Sequence, residues 1–216
     1  MNLYTPERIA LIGTHGTGKT GLVKLISAEL IKNGFSVEEV TEIARTIRRA
    51  GLPLNESTTF EAQEAILLHQ RAAEIIAEFE RPDAIVCDRS VLDNLMYLLY
   101  GFETKGIDFY PGKTENFIKT AVQEIESQIE EYIFRKPYTA MFYVPIISEE
   151  IESDGIRSED KRFQVAIDEK LRKYFNTCNV RNLYMLSVEG ISPGRPEWIC
   201  YIKNVLKRER NLKLDL

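Results

Sequence analysis

The residues with the clearest chemical potential lie near the start of the chain. Gly13-Thr14-His15-Gly16-Thr17-Gly18-Lys19-Thr20 fits the spacing GxxxxGK[ST] at every fixed position. Glycines so placed let a backbone curl until successive N–H groups point at phosphate oxygens. Lys19 can then reach β- and γ-phosphates, and the Thr20 hydroxyl can ligate Mg2+. Gly13, Gly16, Thr17, Gly18, Lys19, Thr20 and Gly21 form the expected nucleotide-binding set, with ATP and Mg2+ as the expected cofactors. His15 occupies a variable position of the loop and is expected to face solvent.

A phosphate loop needs a carboxylate to hold the metal beside it. Ala84-Ile85-Val86-Cys87-Asp88 supplies one at the end of an apolar strand. Asp88 reads as a metal ligand or catalytic group, or as a helix N-cap. Arg89 reads as a cation near the γ-phosphate, or as half of a surface ion pair. Arg89, Asp93 and Tyr97 are spaced i, i+4, i+8 and are expected to share a helix face. Asp93 then either orients Arg89 or merely pairs with it. Gln63 and Gln70 lie seven residues apart, two helical turns, and also share a face. A side-chain amide donates and accepts together, which suits a nucleobase or carboxamide edge.

The elements that must position these groups alternate in type. Arg8–Ile12 is β-prone, and Lys19–Asn33 carries Leu22, Leu25, Ile26 and Leu30 at helical spacing before Gly34. A second strand is expected over Phe35–Thr41. A long helix follows over Glu56–Glu80, with Phe60, Leu67, Leu68, Ile75, Ile76 and Phe79 inward. The Ala84–Cys87 strand then leads to a helix over Arg89–Tyr100 that ends at Gly101, and to a loop over Phe102–Lys113. Next come a helix over Thr114–Phe134, a strand over Thr139–Val144 and a helix over Arg162–Cys178. A strand over Leu183–Val188 and a helix over Pro196–Arg210 complete the pattern. Five short strands alternating with helices imply an α/β chain: a three-layer sandwich with a mainly parallel sheet. No linker divides it, so residues 1–216 are expected to form one domain.

The phosphate loop followed by Asp88-Arg89-Ser90 resembles the nucleoside and nucleotide kinases of the P-loop fold. Within that group the chain is most similar to kinase-like AAA-type ATPase domains related to ribosylnicotinamide kinase. The resemblance rests on GTHGTGKT, Glu42-Ile43-Ala44-Arg45, Gln63 and Gln70, DRSVLDNLMY at 88–97 and DGIRSEDKRFQVAIDEKL at 154–171. It implies that Glu42, at the tip of the second strand, lies near the acceptor hydroxyl as a general base. A carboxylate favoured by a helix N-terminus is the other reading of Glu42. Arg45 binds a substrate phosphate or pairs with Glu42. The resemblance also implies a basic lid over approximately 146–162, with Arg157 and Arg162 closing on the phosphates and excluding water. The alternative is a solvated charged loop.

Composition narrows the function further. The chain has 28 Lys+Arg against 33 Asp+Glu, a net charge of −5, which argues against a nucleic-acid partner. Cys87, Cys178 and Cys200 show no metal-ligand spacing and are expected to be free, buried thiols in a reducing cytoplasm. No apolar run approaches a bilayer span and no secretory signal is evident, so no membrane partner is expected. The expected activity is ATP- and Mg2+-dependent phosphoryl transfer to a small-molecule acceptor: a nucleoside, a nucleotide or a ribosylnicotinamide-like compound. The alternatives are an ATPase that drives a regulatory or partner-binding switch, and a kinase of nucleic-acid ends. A GTPase is disfavoured because no NKxD string is present. A homodimer is compatible with the sequence.

Overall fold

Strand β1, Glu7–Ile12, alternates its side chains between two separate cores. Ala10 and Ile12 join the core beneath the helices of one face, while Ile9 and Leu11 join the core beneath the other. A strand buried on both sides must sit in the middle of a covered sheet, and its near-continuous apolar run is the signature of that position. The computed structural model describes residues 4–41, 43–147, 158–178, 180, 182–187 and 196–210.

The other strands are β2 (Val37–Val40), β3 (Ala84–Asp88), β4 (Ala140–Tyr143) and β5 (Leu183–Met185). All four pairings are parallel, in the order β2-β3-β1-β4-β5. The connection from β1 runs past β3 to β2 on one side, whereas the connection from β3 crosses β1 to reach β4 on the other. Such a reversal opens a crevice at the C-terminal ends of the strands, where ligands of open α/β sheets bind. Helices α1 (Lys19–Lys32) and α7 (Pro196–Arg210) cover one face. Helices α3 (Phe60–Phe79), α4 (Val91–Lys105), α5 (Glu115–Arg135) and α6 (Lys161–Cys178) cover the other. A short α2 (Ile43–Arg49), which the periodicity did not reveal, packs on α3.

Several expectations are corrected. Gly101 does not end α4, which runs on to Lys105. The Phe109 ring lies against Gly101, and an added Cβ would come within 2.3 Å of it, so the glycine is there for packing rather than termination. The expected loop at 102–113 is partly this helix and partly a 3-10 turn over Gly106–Phe109. Helix α3 begins at Phe60, capped by the Thr59 side chain, after a separate turn at Asn55–Ser57. Its inward face differs from expectation. Leu68, Ile76 and Phe79 are exposed, whereas Gln63, Gln70 and Glu74 are buried. Only Cys87 is a buried thiol; Cys178 and Cys200 are exposed. Among the described residues no helix is long and apolar enough to cross a membrane.

Candidate functional site

The phosphate loop leaves β1 through a passage only glycine fits. Gly13 has φ +142°, and a Cβ there would lie 2.5 Å from the Val144 carbonyl oxygen. Its N–H donates to Asp93 Oδ1 at 2.8 Å, and its carbonyl accepts from Arg89 Nη1 at 3.2 Å. At the far end Gly18 adopts a left-handed conformation (φ 80°) and caps α1 without a side-chain hydrogen bond. Gly18 has no side chain to cap the first turn of α1, and N–H groups at such a helix start can bind an anion, assisted by the helix dipole. The buried Lys19 ammonium donates to the Thr14 carbonyl and to Thr17 Oγ1 (3.0 Å).

Strand β3 runs beside β1 in register, pairing Asp88 with Leu11. That register carries the Asp88 carboxylate to Thr20, whose hydroxyl donates to Oδ2 at 2.5 Å. Two hard oxygen donors in contact beside a helix N-terminus fit Mg2+, which takes few protein ligands and completes its shell with water and phosphate oxygens. Among the described residues no cluster of three or more His, Cys, Asp or Glu forms an all-protein metal cage.

Arg89 is not on the α4 face that the spacing suggested. It precedes the Ser90 N-cap and has φ +83°, a left-handed conformation costing about 1–3 kcal/mol for a non-glycine residue. Several contacts hold it there. Its N–H donates to the Leu11 carbonyl at 3.0 Å, and its own carbonyl accepts from Gln70 Nε2 at 3.3 Å. Its guanidinium lies 5.1 Å from the centre of the Tyr97 ring. Burial opposes its charge, but Tyr97, Asp93 and Asp88 outweigh that, raising its pKa so that it stays cationic. Asp93 closes a capping box with Ser90, whose N–H and hydroxyl both donate to Oδ2 at 2.8 Å. Asp93 Oδ1 lies 4.0 Å from Arg89 Nη1. Burial pushes the Asp93 carboxyl above the usual Asp range, while Arg89, Lys19 and the backbone N–H groups of Gly13 and Ser90 pull it back.

A cleft of about 130 Å³ starts at Gly16–Thr20 and passes Asp88 and Arg89. It ends against a second wall. Helix α2 supplies Ile43, Ala44 and Arg45 to that wall, and Leu54 and Asn55 follow. Helix α3 supplies Gln63, Ile66 and Gln70, and α4 supplies Asn94 and Tyr97. His15, expected in solvent, is 4% exposed. Its ring stacks on Phe163 at 5.2 Å and its Nδ1 lies 3.2 Å from Tyr97 Oη, because α6 docks onto the loop. Gln164 seals that contact by donating to the His15 carbonyl at 2.7 Å.

The structure thus brings Gly16, Thr17, Gly18, Lys19, Thr20, Asp88 and Arg89 to one cleft. Gly13 shapes the passage behind it, and Gly21 lies on the exposed side of α1. Arg162, the second residue of α6, has its side chain exposed and bonded to Asp160, and does not line the cleft. Glu42 and Arg157 lie outside the described residues. The wall residues Leu54, Asn55, Ile66 and Asn94 were not read from the sequence. Helical register pointed only to Ile66, between Gln63 and Gln70 on α3, and to Asn94, one turn before Tyr97 on α4; Leu54 and Asn55 precede α3 and carried no such signal.

Beneath the second wall lies a buried polar cluster. Glu74 pairs with Arg8 and accepts hydrogen bonds from Tyr132 Oη (2.9 Å) and Tyr138 Oη (2.8 Å). Gln70 Nε2 donates to Glu74 Oε1 at 2.8 Å, which joins this cluster to the cleft. Burial opposes the Arg8 charge, but Glu74, Tyr138, Tyr132 and Cys87 together outweigh it and raise the pKa.

Fold and loop together define a P-loop protein with a nucleotide-kinase-like architecture. The chain belongs to the AAA domain family, whose model matches residues 8–189. Among solved structures it is similar to NadR protein in complex with NR, at 15% identity and a TM-score of 0.72, covering 99% of this chain and 53% of NadR. NadR in complex with NAD and AMP-PNP matches at 13% identity and a TM-score of 0.66, covering 99% and 51%. Thymidylate kinase from Candida albicans matches at 14% identity and a TM-score of 0.66, covering 98% and 96%. The chain spans about half the length of NadR. A comparison with curated proteins gave no match. At these identities the likeness establishes the fold.

Proposed function

We propose that this protein transfers the γ-phosphoryl group of ATP to a hydroxyl of a small molecule: a nucleoside, a nucleotide or a ribosylnicotinamide-like compound. The observation that carries this reading is the two-ended cleft, with a phosphate loop at one end and a wall of amide, aromatic and apolar side chains at the other. An ATPase that only hydrolyses its nucleotide has no need of the second wall.

In this reading the loop N–H groups and Lys19 hold the β- and γ-phosphates, and Thr20 and Asp88 hold Mg2+. The bound ion supplies charge neutralisation at the phosphates. Arg89, fixed by Gly13 and Tyr97, stabilises charge on the group in flight. Ile43, Ala44 and Arg45 line the acceptor side, and the adjacent Glu42 takes the hydroxyl proton, with Asp88 as the other candidate base. The chain acts as one domain, with a lid over approximately 146–162 bringing Arg157 and Arg162 to the phosphates as it closes. NadR bound to NR and thymidylate kinase support a small acceptor by their likeness of fold.

The test is incubation with γ-labelled ATP, Mg2+ and a panel of nucleosides, nucleoside monophosphates, ribosylnicotinamide and oligonucleotides. Label should appear on a small molecule. Label released only as inorganic phosphate, at a rate no compound changes, refutes the kinase reading.

A further inference from the structure

The acceptor end of the cleft has a fixed hydrogen-bond polarity at Gln70. This side chain is 1% exposed yet lines the cleft. Its Nε2 donates twice, to Glu74 Oε1 at 2.8 Å and to the Arg89 carbonyl at 3.3 Å. The Arg89 carbonyl can only accept. Glu74 is likewise saturated with donors, receiving Arg8, Tyr132 and Tyr138 as well as Gln70. The tyrosines cannot reverse their roles. Tyr132 Oη accepts from Arg8 Nη2 at 2.8 Å, and Tyr138 Oη accepts from the Val91 N–H at 3.2 Å, so each directs its own hydrogen at Glu74.

An amide turned the other way would set the Gln70 oxygen against two oxygens and lose both bonds. The network therefore decides an orientation that the near-symmetric shape of an amide alone leaves ambiguous. Its consequence is that Oε1 is the Gln70 atom left for the cleft, and it makes no hydrogen bond among the described residues. Gln63, on the same face of α3, is held in the same sense, with its Nε2 donating to Thr58 Oγ1 at 2.8 Å.

We propose that Gln70 is a specificity-determining residue, and Glu74 the positioning residue behind it, for acceptors that present an N–H donor at the deep end of the cleft. The matching ligand class is a ring compound carrying a carboxamide or exocyclic amine, with no anionic group at that point. A compound with a carbonyl or carboxylate oxygen at that point meets Oε1 head-on and is rejected. This rests on the kinase reading for the identity of the cleft's occupant, but the polarity is a binding property and is measurable without turnover.

Two matched pairs serve as probes: ribosylnicotinamide against ribosylnicotinic acid, and cytidine against uridine. Each pair exchanges NH2 for oxygen at one position; ribosylnicotinic acid thereby also gains a negative charge, and uridine also carries an N3–H where cytidine has a bare ring nitrogen. Their affinities are measured by calorimetry on the full chain without nucleotide, alongside ATP consumption with each. In the wild-type protein the NH2 member of at least one pair should bind on the order of 10- to 100-fold tighter, the penalty of facing acceptor with acceptor. Gln70→Met should bring that ratio close to one. Glu74→Gln should also lower it, because an amide there can donate and lets Gln70 turn. A ratio measured within one sample cancels any loss of folded protein, so a destabilised Glu74 variant still reports.

Equal binding of both members, preference for the oxygen member, no binding by any of the four, or a ratio unchanged in Gln70→Met overturns the inference. If another compound still raises ATP consumption, the kinase reading survives that failure. If NH2 selectivity is found but no compound raises ATP consumption, the kinase reading falls and the polarity stands.

Discussion

The backbone N–H of Gly13 donates to the Asp93 carboxylate at 2.8 Å, so one side chain closes the N-terminal cap of α4 and anchors the first residue of the phosphate loop. Asp93→Ala removes both at once. Loss of the cap costs about 1 kcal/mol and a buried orphan N–H about 1–3 kcal/mol more. A fall in stability of roughly that sum, read by denaturant unfolding, should accompany weaker nucleotide binding. Unchanged nucleotide affinity in the variant would separate the cap from the loop.

Lys19→Ala should abolish most phosphoryl transfer while the circular dichroism spectrum stays that of the wild type. The Lys19 ammonium donates to Thr14 and Thr17 of the loop, and the variant is expected to keep the sheet and helices intact. Near wild-type turnover would contradict the assignment of the loop to nucleotide phosphates.

Asp88→Asn should weaken nucleotide binding in the presence of Mg2+ far more than in excess chelator. The contact with Thr20 survives in either case, because an amide oxygen still accepts from the hydroxyl. Equal losses with and without Mg2+ would reduce Asp88 to a partner for that hydroxyl.

Glu42→Gln should slow transfer to the acceptor by about 10²- to 10⁴-fold, the usual contribution of a general base, and change background ATP hydrolysis much less. Arg157→Ala and Arg162→Ala should lower turnover while nucleotide still binds. Parallel loss of hydrolysis and transfer in the Glu42 variant would favour Asp88 as the base.

The phosphate loop was legible because its chemistry is done by backbone, and backbone geometry writes itself into glycine spacing. The parallel sheet was legible for a related reason: strands covered on both faces read as unbroken apolar runs, as in Ile9–Ile12 and Ala84–Cys87. The second wall was legible only in part: Arg45, Gln63, Gln70 and Tyr97 were singled out, but not the packing that brings them to the cleft. Helix α3 carries two faces of comparable apolarity, and hydrophobicity favoured the one with Leu68, Ile76 and Phe79, which faces outward. Its buried face holds Gln70 and Glu74 because Arg8, Tyr132 and Tyr138 arrive from distant parts of the chain to satisfy them. Partners separated by about sixty residues or more leave no local trace. His15 misled in the same way, since the ring that covers it, Phe163, belongs to α6. Ser90-x-x-Asp93 was a capping-box spacing visible in the chain, and it would have placed Arg89 outside the helix.

An all-parallel sheet sends every strand in one direction, so the two ends of this molecule do different jobs. The cleft is built from segments that follow strands, while the turns that lead into strands lie at the opposite end. Ser36 and Asp83 are tied together there, and so are Glu7 and Asp83. The Asn33–Gly34 turn between α1 and β2 does not line the cleft, and a Cβ at Gly34 would meet nothing within 4 Å. A fluorescent tag or an inserted peptide at that turn is thus separated from the chemistry by the length of the strands, giving an attachment point from which the working end can be watched without being touched.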